Sequence, residues 1–149
     1  MRVEIQPLSD PVGAGLQCAV KATLARAGDV LGIRAGELVL RFVSRDSMAQ
    51  LNGRWRGKER PTDVISFPSN TRDPDGETHL GDIAICLDVA RDQAREQGHD
   101  LTQEVALLAL HGLLHIMGYD HESDDGEMEA LEELLRSKVL SAPQGGFDE

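Results

Sequence analysis

Apolar residues recur along the chain with two periods, and each period marks its own kind of element. Val3-Glu4-Ile5 alternates and predicts a short first strand, while Leu16, Val20 and Leu24 share one helical face and predict a helix over residues 12–27, ended by Gly28. The apolar run 38–43 is of strand length. A short helix over 46–52 follows it, with Ser44 or Asp46 as cap. Residues 63–67 alternate as a strand closed by Pro68, the turn formers of 70–78 predict a surface loop, and 81–86 reads as a fourth strand. A polar helical stretch, 88–97, stops at Gly98, and Asp100 with Gln103 offers a capping box for a helix over 101–117. That helix is apolar on almost every side and belongs in the core. A last helix over 124–139 puts Met128, Leu131, Leu135 and Val139 on one stripe. The sum is an α+β chain of about four strands and five helices, with a single domain over 1–140 and a flexible tail over 141–149.

Composition supports a folded domain. The 149 residues are 40% hydrophobic and 28% charged, enough apolar content for a sizeable core. No apolar stretch has the length of a signal peptide or membrane span, so a cytoplasmic protein without membrane contact is expected. Cys18 and Cys86 are far apart, lack CxxC spacing, and are expected as buried reduced thiols. The net charge of −11 argues against a protein that coats nucleic acid through its overall field. Any RNA contact must be local, and Arg54, Arg56, Lys58 and Arg60, opposed only by Glu59, form the most basic stretch.

The chemistry sits at the end of the apolar helix. His111 and His115 are four residues apart, so their imidazoles share one helix face and can reach one ion. Gly118 can take the left-handed conformation that ends the helix and turns the chain back to deliver His121 as a third ligand. This is the ligand spacing of the long zincin motif, with Gly112 where that motif carries its glutamate base. Three histidines leave a fourth position for water, the arrangement of catalytic zinc, and one Zn2+ per chain is expected. A metal-activated water is a nucleophile at neutral pH, so the chain reads as a hydrolase. His79 and His99 lack such spacing and are expected on the surface.

The segment His111-Gly112-Leu113-Leu114-His115-Ile116-Met117-Gly118-Tyr119-Asp120-His121 resembles the signature of the YbeY family of endoribonucleases, also called ribosomal RNA maturation factors. Two further blocks agree in order and spacing. One runs from Leu51-Asn52 through Arg56-Gly57-Lys58 to Ser66-Phe67-Pro68, the other from Leu80 to Ile85. The likeness covers about residues 37–138; Trp55, Glu59 and Ile65 depart from the usual tyrosine, aspartate and leucine without removing a charge or a ligand.

The resemblance implies a zincin-like fold with a small mixed sheet, zinc on His111, His115 and His121, and Arg56 as a functional arginine beside the metal. It also implies cleavage of single-stranded RNA in the maturation of the 3′ end of small-subunit (16S) ribosomal RNA, in ribosome biogenesis and in ribosome quality control. The implied partners are ribosomal RNA, the small ribosomal subunit, a small-subunit ribosomal protein and an Era-type GTPase. An arginine fork beside a Lewis acid suits phosphodiester cleavage, with His111 and Arg56 the residues closest to the chemistry.

The proton acceptor stays open between the metal-bound hydroxide and a carboxylate such as Asp120, which also fits a partner orienting a ligand histidine or a plain turn residue. Asp63 and Ser66 stand where a strand starts, with structural roles expected and a place in the cleft as the alternative. Trp55 reads as a core contact or a base-stacking platform. The acidic run from Asp124 to Glu133 reads as a helix start and the wet face of the last helix, with Ser123 as cap, ahead of the alternative of a partner-binding surface. Two other functions compete: a zinc peptidase, disfavoured by Gly112, and a non-catalytic assembly factor in which zinc only fixes the fold.

Overall fold

In a computed structural model that describes residues 1–6, 13–57, 62–72, 76–119 and 126–137, the side chains of 55, 56, 70–72, 127 and 128 excepted, strands and helices follow the expected order. They are β1 (Arg2–Gln6), α1 (Ala14–Leu31), β2 (Glu37–Val43), α2 (Arg45–Arg56), β3 (Val64–Arg72), β4 (Thr78–Cys86), α3 (Leu87–Gln97), α4 (Leu101–Ile116) and α5 (Glu127–Leu135). The strands form one mixed sheet in the order β1-β2-β4-β3; β1, β2 and β4 are parallel, and β3 runs antiparallel at the edge beside β4. Parallel neighbours need a crossover, which α1 supplies between β1 and β2.

Alternation along the strands divides the core between the two sheet faces. Leu38, Leu40, Phe42, Ile83 and Ile85 pack with Leu24 of α1 and with Leu110, Leu113 and Leu114 of α4. Ala84 and Cys86 point the other way and meet Met48 of α2 and Ile65 of β3. As its composition requires, α4 is buried on most sides, through Val105, Ala106, Leu108, Ala109, Leu110, Leu113 and Leu114. None of the described helices is long and apolar enough to cross a membrane.

Several boundaries differ from expectation, each for a packing reason. Helix α1 continues through Gly28, which is buried so close to Met1 that a Cβ there would lie 2.9 Å from the Met1 Cε; Gly32, at φ 77°, ends the helix instead. Strand β3 runs through Pro68, and β4 begins at Thr78, so much of the expected loop is paired, Thr71 with His79 and Arg72 with Thr78. Proline is tolerated there because β3 is an edge strand, and the register shifts just after it. Helix α2 extends to Arg56, capped by Ser44, whose hydroxyl accepts from the Ser47 N–H at 3.1 Å. Helix α5 starts later than expected, with Gly126 as N-cap; Ser123 and the tail over 141–149 lie outside the described residues.

Three side chains also depart from expectation. Cys18 is exposed on the outer side of α1, whereas Cys86 is buried. His79 and His99 are mostly sheltered, because each has an acidic partner that draws it in: Asp82 at 3.0 Å for His79, and the buried Glu104 for His99.

Candidate metal centre and cleft

Helix α4 starts where Asp100 accepts the Gln103 N–H at 2.8 Å. Its buried side seats it on the sheet and leaves a single partly open stripe, on which His111 and His115 stand one turn apart. Their rings meet edge to face with centroids 4.7 Å apart, and the two Nε2 atoms approach to 3.1 Å. That spacing is what one shared proton, or one ion held between the nitrogens, produces. Zinc–nitrogen bonds of about 2.0–2.1 Å in a tetrahedron place ligand nitrogens roughly 3.3 Å apart, so the separation of the pair is close to what two zinc ligands need.

The end of α4 follows from Gly118. At φ 98° it closes a Schellman turn, in which the Tyr119 N–H donates to the Leu114 carbonyl and the Gly118 N–H to that of His115, both at 3.0 Å. The helix is thereby ended just past the second histidine. His121, the expected third ligand, and Asp120 lie outside the described residues, among which no cluster of three or more metal-ligating side chains occurs.

Gly112 lines the cleft onto which the two histidines open. Its neighbour is Ile83 of β4, and a Cβ at 112 would meet the Ile83 Cγ2 at 3.0 Å. A side chain at this position, which supplies the base in zincin peptidases, would need the Ile83 side chain to give way by a few tenths of an ångström.

The histidine stripe opens on a cleft of about 1150 Å³ between α4 and β3. Leu107 and Leu108 of α4, Ile65 and Phe67 of β3, and Leu51 of α2 give it apolar walls. Asp63, Ser66, Arg41, Asp82 and Glu132 supply polar groups. Asp63 combines both roles open to it in the sequence: it lines the cleft, and its Oδ1 accepts the Val64 N–H at 2.8 Å at the start of β3. Arg41 and Asp82 are 3.8 Å apart and largely solvated, a separation at which an ion pair contributes little. Helix α2, whose Leu51 lines the cleft, ends at Arg56, and the side chains of Arg56 and Trp55 lie outside the described set.

One site residue was not visible in the sequence. Glu132, which the pattern of α5 assigns to a wet helix face, places its Oε2 2.8 Å from the Nδ1 of His111. Its only sequence signal is its place one turn before Arg136 and three residues before the buried Leu135. Which helix α5 packs against, and in what rotation, is a tertiary outcome.

Comparison with known proteins gives one consistent match. The family model described as Endoribonuclease YbeY matches residues 11–140. The chain is 48% identical over 116 residues to an Endoribonuclease YbeY of Koribacter versatilis, covering 78% of this chain and 72% of the relative. It is 43% identical over 136 residues to the Chromohalobacter salexigens protein of the same name, covering 89% and 86% respectively. Among solved structures it is similar to the solution structure of TM1509 from Thermotoga maritima, with a TM-score of 0.61 at 30% identity, over 91% of this chain and 88% of that one.

Proposed function

The chain belongs to the YbeY family of endoribonucleases, and from that premise we propose that it cleaves single-stranded RNA at a zinc ion held by His111, His115 and His121. The observation that carries this reading is the convergence of the His111 and His115 Nε2 atoms, 3.1 Å apart, at the cleft. Bound there, zinc supplies a Lewis acid for a phosphoryl oxygen and lowers the pKa of a coordinated water.

The chain's own residues do the rest. Leu51, Ile65, Phe67 and Leu108 give the cleft apolar walls against which the unstacked bases of a single strand can rest. Arg56 is assigned, from its match to the family motif, the stabilisation of the negative charge that grows on the non-bridging oxygens as the phosphodiester is attacked. Because the whole chain carries a net charge of −11, RNA is drawn in by the local basic stretch around Arg56 rather than by the overall field. The substrate proposed is the 3′ end of small-subunit ribosomal RNA in the cytoplasm, within ribosome biogenesis and quality control. The small subunit, one of its proteins and an Era-type GTPase are the proposed partners.

Metal content by mass spectrometry and cleavage of a labelled single-stranded ribosomal RNA fragment, measured together on wild type, His115→Ala and Arg56→Glu, test this assignment. Wild type is expected to carry about one zinc and to cut. His115→Ala is expected to lose both properties, and Arg56→Glu to keep zinc while losing on the order of 100-fold in cleavage, the scale of deleting one charge-stabilising group. Metal-loaded wild type that cuts neither the fragment nor assembled small subunits would overturn the nuclease reading and leave zinc a structural role in an assembly factor.

A further inference from the structure

We propose that Glu132 is a positioning residue that fixes His111 in the ring form able to bind metal; this rests on the reading of His111 as a zinc ligand. An ionised carboxylate can only accept hydrogen bonds. The 2.8 Å contact between Glu132 Oε2 and His111 Nδ1 therefore requires the ring proton on Nδ1. The lone pair of a neutral imidazole is then on Nε2, the atom that faces His115. Without an acceptor at Nδ1 the proton can move to Nε2, and in that form the ring cannot ligate from the side turned toward its partner. The carboxylate also raises the donor strength of the ring it holds.

The contact has a second consequence, written in the chain order. Residues 111 and 132 are 21 apart, and positions 115 and 121 both fall between them. The bond thus joins the two ends of the segment that carries all three candidate ligands. The helix bearing Glu132 does not depend on this bond for its seat. Leu135 is fully buried and Leu131 packs against the same core, so α5 stays docked when the carboxylate is removed. Glu132 and His111 are both partly sheltered, with 22% and 31% of their side chains exposed, unlike the freely solvated pairs on α3.

The test compares wild type with Glu132→Ala, Glu132→Gln and Glu133→Ala in the full chain. Glu133 is an exposed carboxylate one residue further on and controls for the charge of α5. Nitrogen NMR of the zinc-free protein reads the His111 tautomer, and competition with a chelator reads zinc affinity. Wild type and Glu133→Ala are expected to hold His111 in the Nδ1–H form and bind zinc equally well. Glu132→Ala is expected to populate both tautomers and to bind zinc about 10–100-fold more weakly. Glu132→Gln, whose amide oxygen still accepts, is expected to keep the tautomer and recover most of the affinity. Glu132→Ala matching wild type in both readouts would overturn the positioning role alone, whereas wild type that takes up no zinc would overturn the metal reading and this role together.

Discussion

Gly112 of α4 lies so close to Ile83 of β4 that a Cβ on the glycine would meet three carbons of the isoleucine side chain at 3.0, 3.1 and 3.2 Å. Gly112 stands beside His111 on the same helix, so this contact brings α4 against the sheet next to the histidine pair. The same position separates this chain from the zincin peptidases whose histidine spacing it shares, since they carry their glutamate base where this chain has glycine.

Gly112→Ala is therefore expected to destabilise the protein by about 1–3 kcal/mol in urea denaturation, the usual cost of one extra methyl in a filled interior. Ile83→Val, which trims the facing side chain, is expected to recover part of that loss in the double variant. A Gly112→Ala protein as stable as wild type would show that the Ile83 side chain yields without cost.

His99 and Glu104 make a prediction about stability away from the cleft. Glu104 is 4% exposed at the start of α4, and His99 is its hydrogen-bonded partner. His99→Ala strands a buried carboxylate, and a loss of roughly 3 kcal/mol is expected. Adding Glu104→Leu removes the stranded charge and is expected to restore most of the stability. Chemical denaturation of the three variants checks this, and a His99→Ala protein as stable as wild type would count against it.

His79 makes a prediction about pH. Its hydrogen bond to Asp82 raises its pKa above the ordinary 6.5, partial burial opposes the rise, and the charges of Asp82 and Glu37 add to it. A raised native pKa means that the folded state binds the proton more tightly than the unfolded chain. The contribution is complete below about pH 6.5, declines as pH rises through the native value, and is gone above it. The site is partly solvated, so the effect is a fraction of a kcal/mol. Unfolding free energies measured from pH 5.5 to 8.5 are expected to fall more steeply for wild type than for His79→Gln. Parallel curves would remove His79 as the source.

Much of the fold was legible along the chain because hydrophobic period and helix-end chemistry are local. The four strands, the five helices, the Asp100 cap, the turn at Gly118 and the buried character of α4 all follow from residues within a few positions of one another. The pairing of His111 with His115 was equally local, since a separation of four on a helix fixes proximity. Where the reading missed, a distant residue had intervened. Gly28 stays within α1 because Met1 packs on it, Pro68 stays within β3 because that strand lies at the sheet edge, and His79 is sheltered because β2 and β4 bring Glu37 and Asp82 to it. Glu132 belongs to the same class: its sequence neighbours mark it as a solvated helix carboxylate, and only the docking of α5 on α4 turns it toward His111. The sequence by itself determined that His111 and His115 stand one turn apart on one helix; the tertiary structure decided which carboxylate meets the first histidine and that Ile83 lies against Gly112, because both depend on contacts between segments that chain order does not bring together.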